Sequence, residues 1–298
     1  MALNYNGTIY RPPIEAYTLL LPVTEGCSHN RCRFCNMYKG IKFRMLSAEE
    51  IEAWLEEIRC VNGASCAAVE RIYLVGADPF AVSASNLERV INLIKNFLPN
   101  VKVVSMYAAI RNIMSKTDAQ LERLKNLGVN DLYVGVESGL EDVLKNLNKG
   151  NTVEDVRRQC DRLNRIGIRH MALLMLGAAG KNRGAENAIA SAKLLNEIKP
   201  TSILINTMTA FKDTKLAEDV RDGKFIPAGE TEILTEEKIL IENLDLPDTY
   251  FWAAHSMDSV PIAGNLRRHR QEMIEILDDA IKNMDEELFN KTFKRNHL

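Results

Sequence analysis

Three thiols crowd into nine residues near the start of the chain, in Gly26-Cys27-Ser28-His29-Asn30-Arg31-Cys32-Arg33-Phe34-Cys35. The spacing is C-x4-C-x2-C, and the cluster directly follows an apolar run, Tyr17 to Val23, that reads as a strand. Three cysteines this close cannot all pair with one another, and a chain without an export signal is expected to keep them reduced. Thiolates grouped on one loop are soft ligands, and they select iron–sulfur clusters, zinc or Cu(I). The count of three is informative. An iron–sulfur cube held by three cysteines leaves one iron open, and an open position is what metal chemistry uses.

The rest of the chain alternates short β-branched runs with amphipathic helices, the pattern of βαβ units and a parallel sheet. Strands are expected at 16–23, 71–75, 102–106, 131–136, 170–176 and 202–206. Capping boxes mark helix starts at Ser47-x-x-Glu50, Ser85-x-x-Glu88 and Thr117-x-x-Gln120, with Asn151-x-x-Glu154 a weaker variant. One helix carries Leu121, Leu124 and Leu127 on a face and stops at Gly128. Six strand–helix repeats exceed a small doubly wound sheet and fall short of a closed eight-fold barrel. The expected fold is therefore α/β, a partial (βα)6 TIM-like barrel over residues 1–210. A mostly helical C-terminal extension over 211–298 should cover the barrel without forming an independent domain. In such a sheet the working residues lie after the C-terminal ends of the strands, and the cysteine loop follows the first strand.

Composition narrows the partners. With 46% hydrophobic and 26% charged residues, the 298-residue chain can build a sizeable core. A formal net charge of −2, with its cations spread along the chain, gives no electrostatic pointer to nucleic acid or a membrane surface. No apolar run reaches the ~18 residues of a membrane span. The expectation is a cytoplasmic protein with no membrane or nucleic-acid partner.

A thiol-rich loop after strand one of a six-fold βα repeat resembles the radical S-adenosylmethionine (SAM) superfamily, most closely its oxygen-independent coproporphyrinogen oxidase-like branch. The resemblance covers roughly residues 16–210, and Phe34, just before the last cysteine, is typical of it. It implies that Cys27, Cys32 and Cys35 hold a [4Fe–4S] cluster whose fourth iron chelates SAM. Gly76-Ala77-Asp78-Pro79 looks like the family's turn after strand two, which implies contacts from Gly76 and Asp78 to the SAM ammonium. In Gly135-Val136-Glu137-Ser138-Gly139, Glu137 and Ser138 match the ribose position. Twelve residues on, Lys149 matches a basic partner of the SAM carboxylate. Leu176-Gly177 resembles the segment that packs against adenine. The implied activity is reductive cleavage of SAM to a 5′-deoxyadenosyl radical that abstracts hydrogen from a small-molecule or other substrate. An electron donor such as flavodoxin or ferredoxin is implied with it. Two departures stand out: four residues rather than three separate Cys27 from Cys32, and Leu173 stands where the branch has Asp.

Other readings accompany these. The cysteines could form a zinc site with His29 as fourth ligand, in a zinc-stabilised interaction protein. A non-enzymatic iron–sulfur protein for electron transfer or sensing is a third possibility. Asp78 could simply cap a turn, Glu137 could be a helix N-terminal acid, and Lys149 a solvated helix-end lysine. Cys60 and Cys66 fall in a connection at the opposite end of the strands from the chemistry, and Cys160 falls mid-helix, which argues against a second cluster. Tyr107, Arg111, Asn206, Thr207, His255 and Asn265 are further polar residues placed to line a substrate cavity. No catalytic acid or base is required for the first step.

Overall fold

The computed structural model describes residues 5–293 and Arg295, so the outer ends of the expected core and extension, at residues 1 and 298, lie outside the described residues. The chain divides into two compact units. Unit one takes the chain up to Asn30, then Met37–Val134 and Gln159–His170; unit two takes Arg31–Asn36, Gly135–Arg158 and the chain from Met171 onward.

Unit one is built on β1 (Leu19–Pro22), β2 (Arg71–Val75), β3 (Val103–Ala108) and most of β4 (Val129–Glu137), paired in parallel in that order. Their registers include Leu19↔Ile72, Tyr73↔Ser105 and Met106↔Leu132. Parallel pairing demands crossover connections, and helices Ala48–Asn62, Ala84–Phe97 and Asp118–Leu127 supply them. Each buries one apolar stripe: Ile51, Leu55 and Ile58, then Leu87, Val90, Ile91 and Ile94, then Leu121 and Leu124. Tyr73, Tyr107 and Tyr133 meet edge to face, with ring centroids 6.0–6.1 Å apart. Tyr107 is thus part of an aromatic cluster shared by three strands.

The capping boxes at Ser47 and Thr117 form as expected, and the helix Asp118–Leu127 closes at Gly128 in the left-handed conformation. The cap of Ala84–Phe97 is Ser83 rather than Ser85, because Ser83 Oγ accepts from the Asn86 N–H while Glu88 accepts from Arg123 Nε. In unit two, Thr152 caps instead of Asn151: its hydroxyl oxygen accepts from the Asp155 N–H, and the Thr152 N–H donates back to Asp155. The strand expected from residue 16 starts at Leu19, because Pro13–Glu15 forms a 3-10 turn whose carbonyls hold Ala16 and Thr18.

At the start of β2, Arg71 joins two buried acids. Its Nε donates to Glu15 Oε2 at 3.0 Å and its Nη1 to Asp131 Oδ2 at 2.5 Å, while Tyr133 OH donates to Glu15 Oε1 at 2.7 Å. Burial alone would raise the Glu15 pKa, but donors from Arg71, Thr18 and Tyr133 bring it below the usual value. A carboxyl with a depressed folded pKa stabilises above its unfolded pKa and loses that contribution as pH falls through the folded value. Arg71→Met should cost about 3 kcal/mol at neutral pH, because Glu15 keeps its burial and loses its cation. Chemical denaturation measures this, and a cost below about 1 kcal/mol would show an ordinary surface pair.

Unit two contains the end of β4, most of β5 (Arg169–Leu176), and β6 (Ser202–Thr207), β7 (Tyr250–Ala253) and β8 (Ile262–Asn265). β5, β6 and β7 are parallel, with Met171↔Ser202 and Ser202↔Tyr250, and β8 runs antiparallel to β7. Helices Gly184–Ile198 and Glu230–Asn243 pack together, and Leu266–Asn283 packs on the latter. The fold is the expected α/β architecture with a mostly helical C-terminal region, to which β7 and β8 add two strands that the sequence did not mark. Among the described residues no helix is long and apolar enough to cross a membrane.

Candidate functional site

The cysteine loop is closed at its base by a two-residue ribbon that pairs Thr24 with Met45 and Glu25 with Arg44. Cys27, Cys32 and Cys35 are unbridged and half-buried. In unit one, Cys27 Sγ accepts from the Asn30 N–H at 3.4 Å. After β2, Gly76 takes a φ of +146°, and a Cβ there would lie 2.0 Å from Thr24 Oγ1, so only glycine brings this turn against Thr24.

Asp78 follows, almost fully buried. Its Oδ2 accepts from Ser28 Oγ at 2.7 Å, from Arg111 Nη2 at 2.9 Å and from Asn112 Nδ2, while among the described residues its Oδ1 accepts from the Ala109 N–H, at 3.3 Å. Burial raises the Asp78 pKa against the pull of these donors. Oδ1 therefore keeps acceptor capacity, while Oδ2 is committed to the protein.

In unit two the short segment Arg31–Asn36 carries Cys32 and Cys35 and is clipped along its length. The Arg33 N–H donates to Leu147 O at 3.0 Å, Asn148 Nδ2 donates to Arg31 O at 2.9 Å, and the Leu216 N–H donates to Arg33 O at 2.8 Å. The Arg33 guanidinium pairs with Asp219. Phe34 packs on Val143, Leu147 and Ala178, and Lys149 Nζ lies 6.0 Å from its ring centroid.

Lys149 and Glu137 form a buried ion pair at 2.5 Å, with side chains 14% and 9% exposed. Burial lowers the Lys149 pKa, but the Glu137 carboxylate and the negative charge of Cys32 and Cys35 outweigh it and raise the pKa above the usual lysine value. Glu137 sits at the tip of β4 with φ at +65°, a left-handed conformation that a side chain rarely adopts. Such strain persists where the surroundings over-determine it, and it gathers at ligand-binding positions. Gly135 makes room for the pair, because a Cβ there would lie 2.6 Å from both Glu137 Oε1 and Lys149 Nζ.

Ser138 lies on the same tip but turns inward: its hydroxyl donates to Asn187 Oδ1 at 2.5 Å and accepts from the Leu140 N–H at 3.0 Å. Leu176 is buried at the end of β5, and the Gly177 N–H donates to Glu236 Oε2 at 2.9 Å. Asn187 Nδ2 donates to Glu236 Oε1 at 2.7 Å, completing a chain Ser138–Asn187–Glu236–Gly177. No local motif in the sequence marks Glu236 or Asn187. A usable signal did exist for their neighbour: Glu237 falls four residues after Ile233 and three before Leu240, on the apolar face of its helix, and it is buried.

Burial pushes Glu236 up to about 7, against the donors that lower it. A carboxyl with a raised folded pKa stabilises fully below its unfolded pKa and loses that contribution as pH rises through the folded value. Wild-type stability should therefore fall between about pH 4.5 and 7 by about 3 kcal/mol from this group. Unfolding measured across that window in wild type and Glu236→Gln tests it: the variant should show a flatter profile, and parallel profiles would contradict the assignment.

Among the other polar candidates, hydrogen bonds within the described residues engage Arg111, Thr207, Asn265 and His255. Arg111 holds Asp78, Thr207 Oγ1 donates to Asp258 at 3.1 Å, and Asn265 caps Leu266–Asn283. Asn206 Oδ1 is buried and has no hydrogen-bond partner among the described residues. His255 Nδ1 accepts from the Met257 N–H. Cys66 and Cys160 are buried, the Cys160 thiol pushed up to about 12 by burial, and Cys60 is exposed. Among the described residues no three His, Cys, Asp or Glu side chains are gathered as a ready-made metal site. The donor types nonetheless suit an iron–sulfur cluster chemically, since all three thiols are unbridged and half-buried.

Comparison with known proteins agrees with this chemistry. The family model "Radical SAM superfamily" matches residues 21–192. The heme chaperone HemW of Bacillus subtilis (strain 168) is 24% identical over 194 residues, covering 62% of this chain and 50% of that protein. The chain thus spans about half the length or less of the curated relatives it matches. Among solved structures, coproporphyrinogen III oxidase (HemN) from Escherichia coli superposes with a TM-score of 0.55 at 15% identity, over 76% of this chain and 52% of that one. The methyltransferase TsrM from Kitasatospora setae, with cobalamin and a [4Fe–4S] cluster bound, gives 0.56 at 15% identity, over 69% and 39%. These likenesses establish a shared fold, and proteins of the matched family use a [4Fe–4S] cluster and SAM. With more than half of its length matched, the chain belongs to the radical SAM superfamily.

Proposed function

We propose that the chain is a radical SAM enzyme, with Cys27, Cys32 and Cys35 as the three thiolate ligands. The observation that carries this reading lies in unit two, where a buried Lys149–Glu137 pair sits at a strained strand tip and Lys149 Nζ lies 6.0 Å from the ring centroid of Phe34, the residue before Cys35. When bound, the cluster and SAM supply the 5′-deoxyadenosyl radical that abstracts hydrogen from the substrate.

The chain's own residues bind and orient. The Gly76 turn and Asp78 Oδ1 are offered to the SAM ammonium. Lys149 takes the SAM carboxylate, and Glu137, partnered by Lys149 through Oε1, keeps Oε2 for the ribose hydroxyls. Ser138 fixes the same strand tip from behind. Phe34 and the backbone at Gly177 would offer adenine an apolar surface, while the Leu176 side chain is buried in the core. Residues 1–210 act as the core, with 211–298 as its extension. The electron donor is of the flavodoxin or ferredoxin type, and the setting is the cytoplasm.

Glu137→Ala should weaken SAM binding about tenfold or more while leaving iron content unchanged, as measured by titration calorimetry on the anaerobically reconstituted protein. Unchanged SAM affinity would remove Glu137 from the site. A second reading is favoured by the names of two curated relatives, both heme chaperone HemW. On that reading the chain binds haem and does not turn SAM over. Titration with haem, followed by its absorbance, separates the two.

A further inference from the structure

Ser28 directly follows Cys27, and its side chain is tied down across a long stretch of sequence. Its hydroxyl donates to Asp78 Oδ2 at 2.7 Å, and Arg111 Nη2 donates to both Ser28 Oγ, at 2.8 Å, and Asp78 Oδ2, at 2.9 Å. Asn112 Nδ2 joins on the same oxygen, and the Ala109 N–H reaches Oδ1. One buried carboxylate after β2 thus gathers the cysteine loop and the segment after β3.

We propose that Asp78 and Arg111 are positioning residues for the first cysteine of the loop, with Arg111 also holding a fixed positive charge against Ser28, the residue next to that cysteine in sequence. The inference rests on the reading of Cys27 as a cluster ligand. A loop ligand that moves binds metal weakly, and the partners that orient ligands are worth about 10- to 100-fold in metal affinity. Asp78 is suited to this because its side chain is almost wholly buried and its Oδ2 is committed to three donors. Arginine suits the bridge because one nitrogen of a planar, always-charged guanidinium reaches hydroxyl and carboxylate together. Charge and hydrogen bonding near the sulfurs also set a cluster's reduction potential. Removing the Arg111 charge should therefore lower that potential.

The test uses the full chain, reconstituted anaerobically with iron and sulfide, as wild type and as Ser28→Ala, Ser28→Thr, Arg111→Met and Arg111→Lys. Three quantities are read without SAM: iron per chain, the rate of iron loss to a chelator, and the cluster midpoint potential by EPR redox titration. Ser28→Ala and Arg111→Met should lose iron about 10-fold faster or more, Ser28→Thr should restore the wild-type rate, and only Arg111→Met should lower the potential. Ser28 is exposed, so its truncation tests the tether without unfolding the chain. Wild-type release rates and potential in both Ser28→Ala and Arg111→Met would overturn the inference and leave the ligand reading standing. A wild-type chain that takes up no iron would remove the ligand reading and this inference with it.

Discussion

Replacing Lys149 by Met should destabilise the protein by about 3–5 kcal/mol, since it leaves the Glu137 carboxylate buried without its cation. The two side chains are 14% and 9% exposed, so solvent screens little of the interaction. Gly135 and the left-handed backbone at Glu137 hold the carboxylate in place, so the strand tip cannot simply turn it outward. Pairing Lys149→Met with Glu137→Gln should recover most of the loss, because the double variant leaves no bare charge. Denaturant unfolding of the two single variants and the double variant measures both the cost and the coupling. A single variant within about 1 kcal/mol of wild type would show that the pair behaves as a surface contact.

The second large effect concerns metal. Cys32→Ala should reduce iron uptake after reconstitution to background, because two thiolates cannot hold a cube that needs three protein ligands. Its fold should survive: the backbone of Arg31–Asn36 is fixed by Leu147, Asn148 and Leu216, none of which depends on the thiol. Cys160→Ala is the control, since that thiol is buried in the helix Val153–Ile166 and should leave iron uptake unchanged. A Cys32→Ala chain that still carried a full cluster would break the ligand assignment.

Much of the frame is legible in the sequence for a physical reason. Parallel strands covered by helices read as continuous apolar runs, and β2, β5 and β6 lie within a residue of where those runs predict. β7 and β8 are four residues each, too short for a periodic signal, and they are surrounded by helical sequence. The helix cap moved from Ser85 to Ser83 because Glu88, half of the expected box, is drawn to Arg123 35 residues away.

The same limit governs the site. Asp78, Glu137 and Lys149 stand out because they follow strand ends at motif spacing. The partners of Asp78 and Ser138 do not: Ser28 lies 50 residues from Asp78, and Asn187 lies 49 from Ser138. Glu236 looks like any helix acid until the fold buries it beside Gly177. Short-range patterns expose which residues occupy strand tips, and only the tertiary structure shows what each one holds.

We propose that this chain supports reductive cleavage of SAM. The direct measurement is anaerobic reconstitution with iron and sulfide, chemical reduction in the presence of SAM, and assay of 5′-deoxyadenosine. Product should exceed a control without protein, be lost in Cys32→Ala and be retained in Cys160→Ala. A colourless chain that holds zinc, or one that bears a cluster yet binds no SAM, would contradict it.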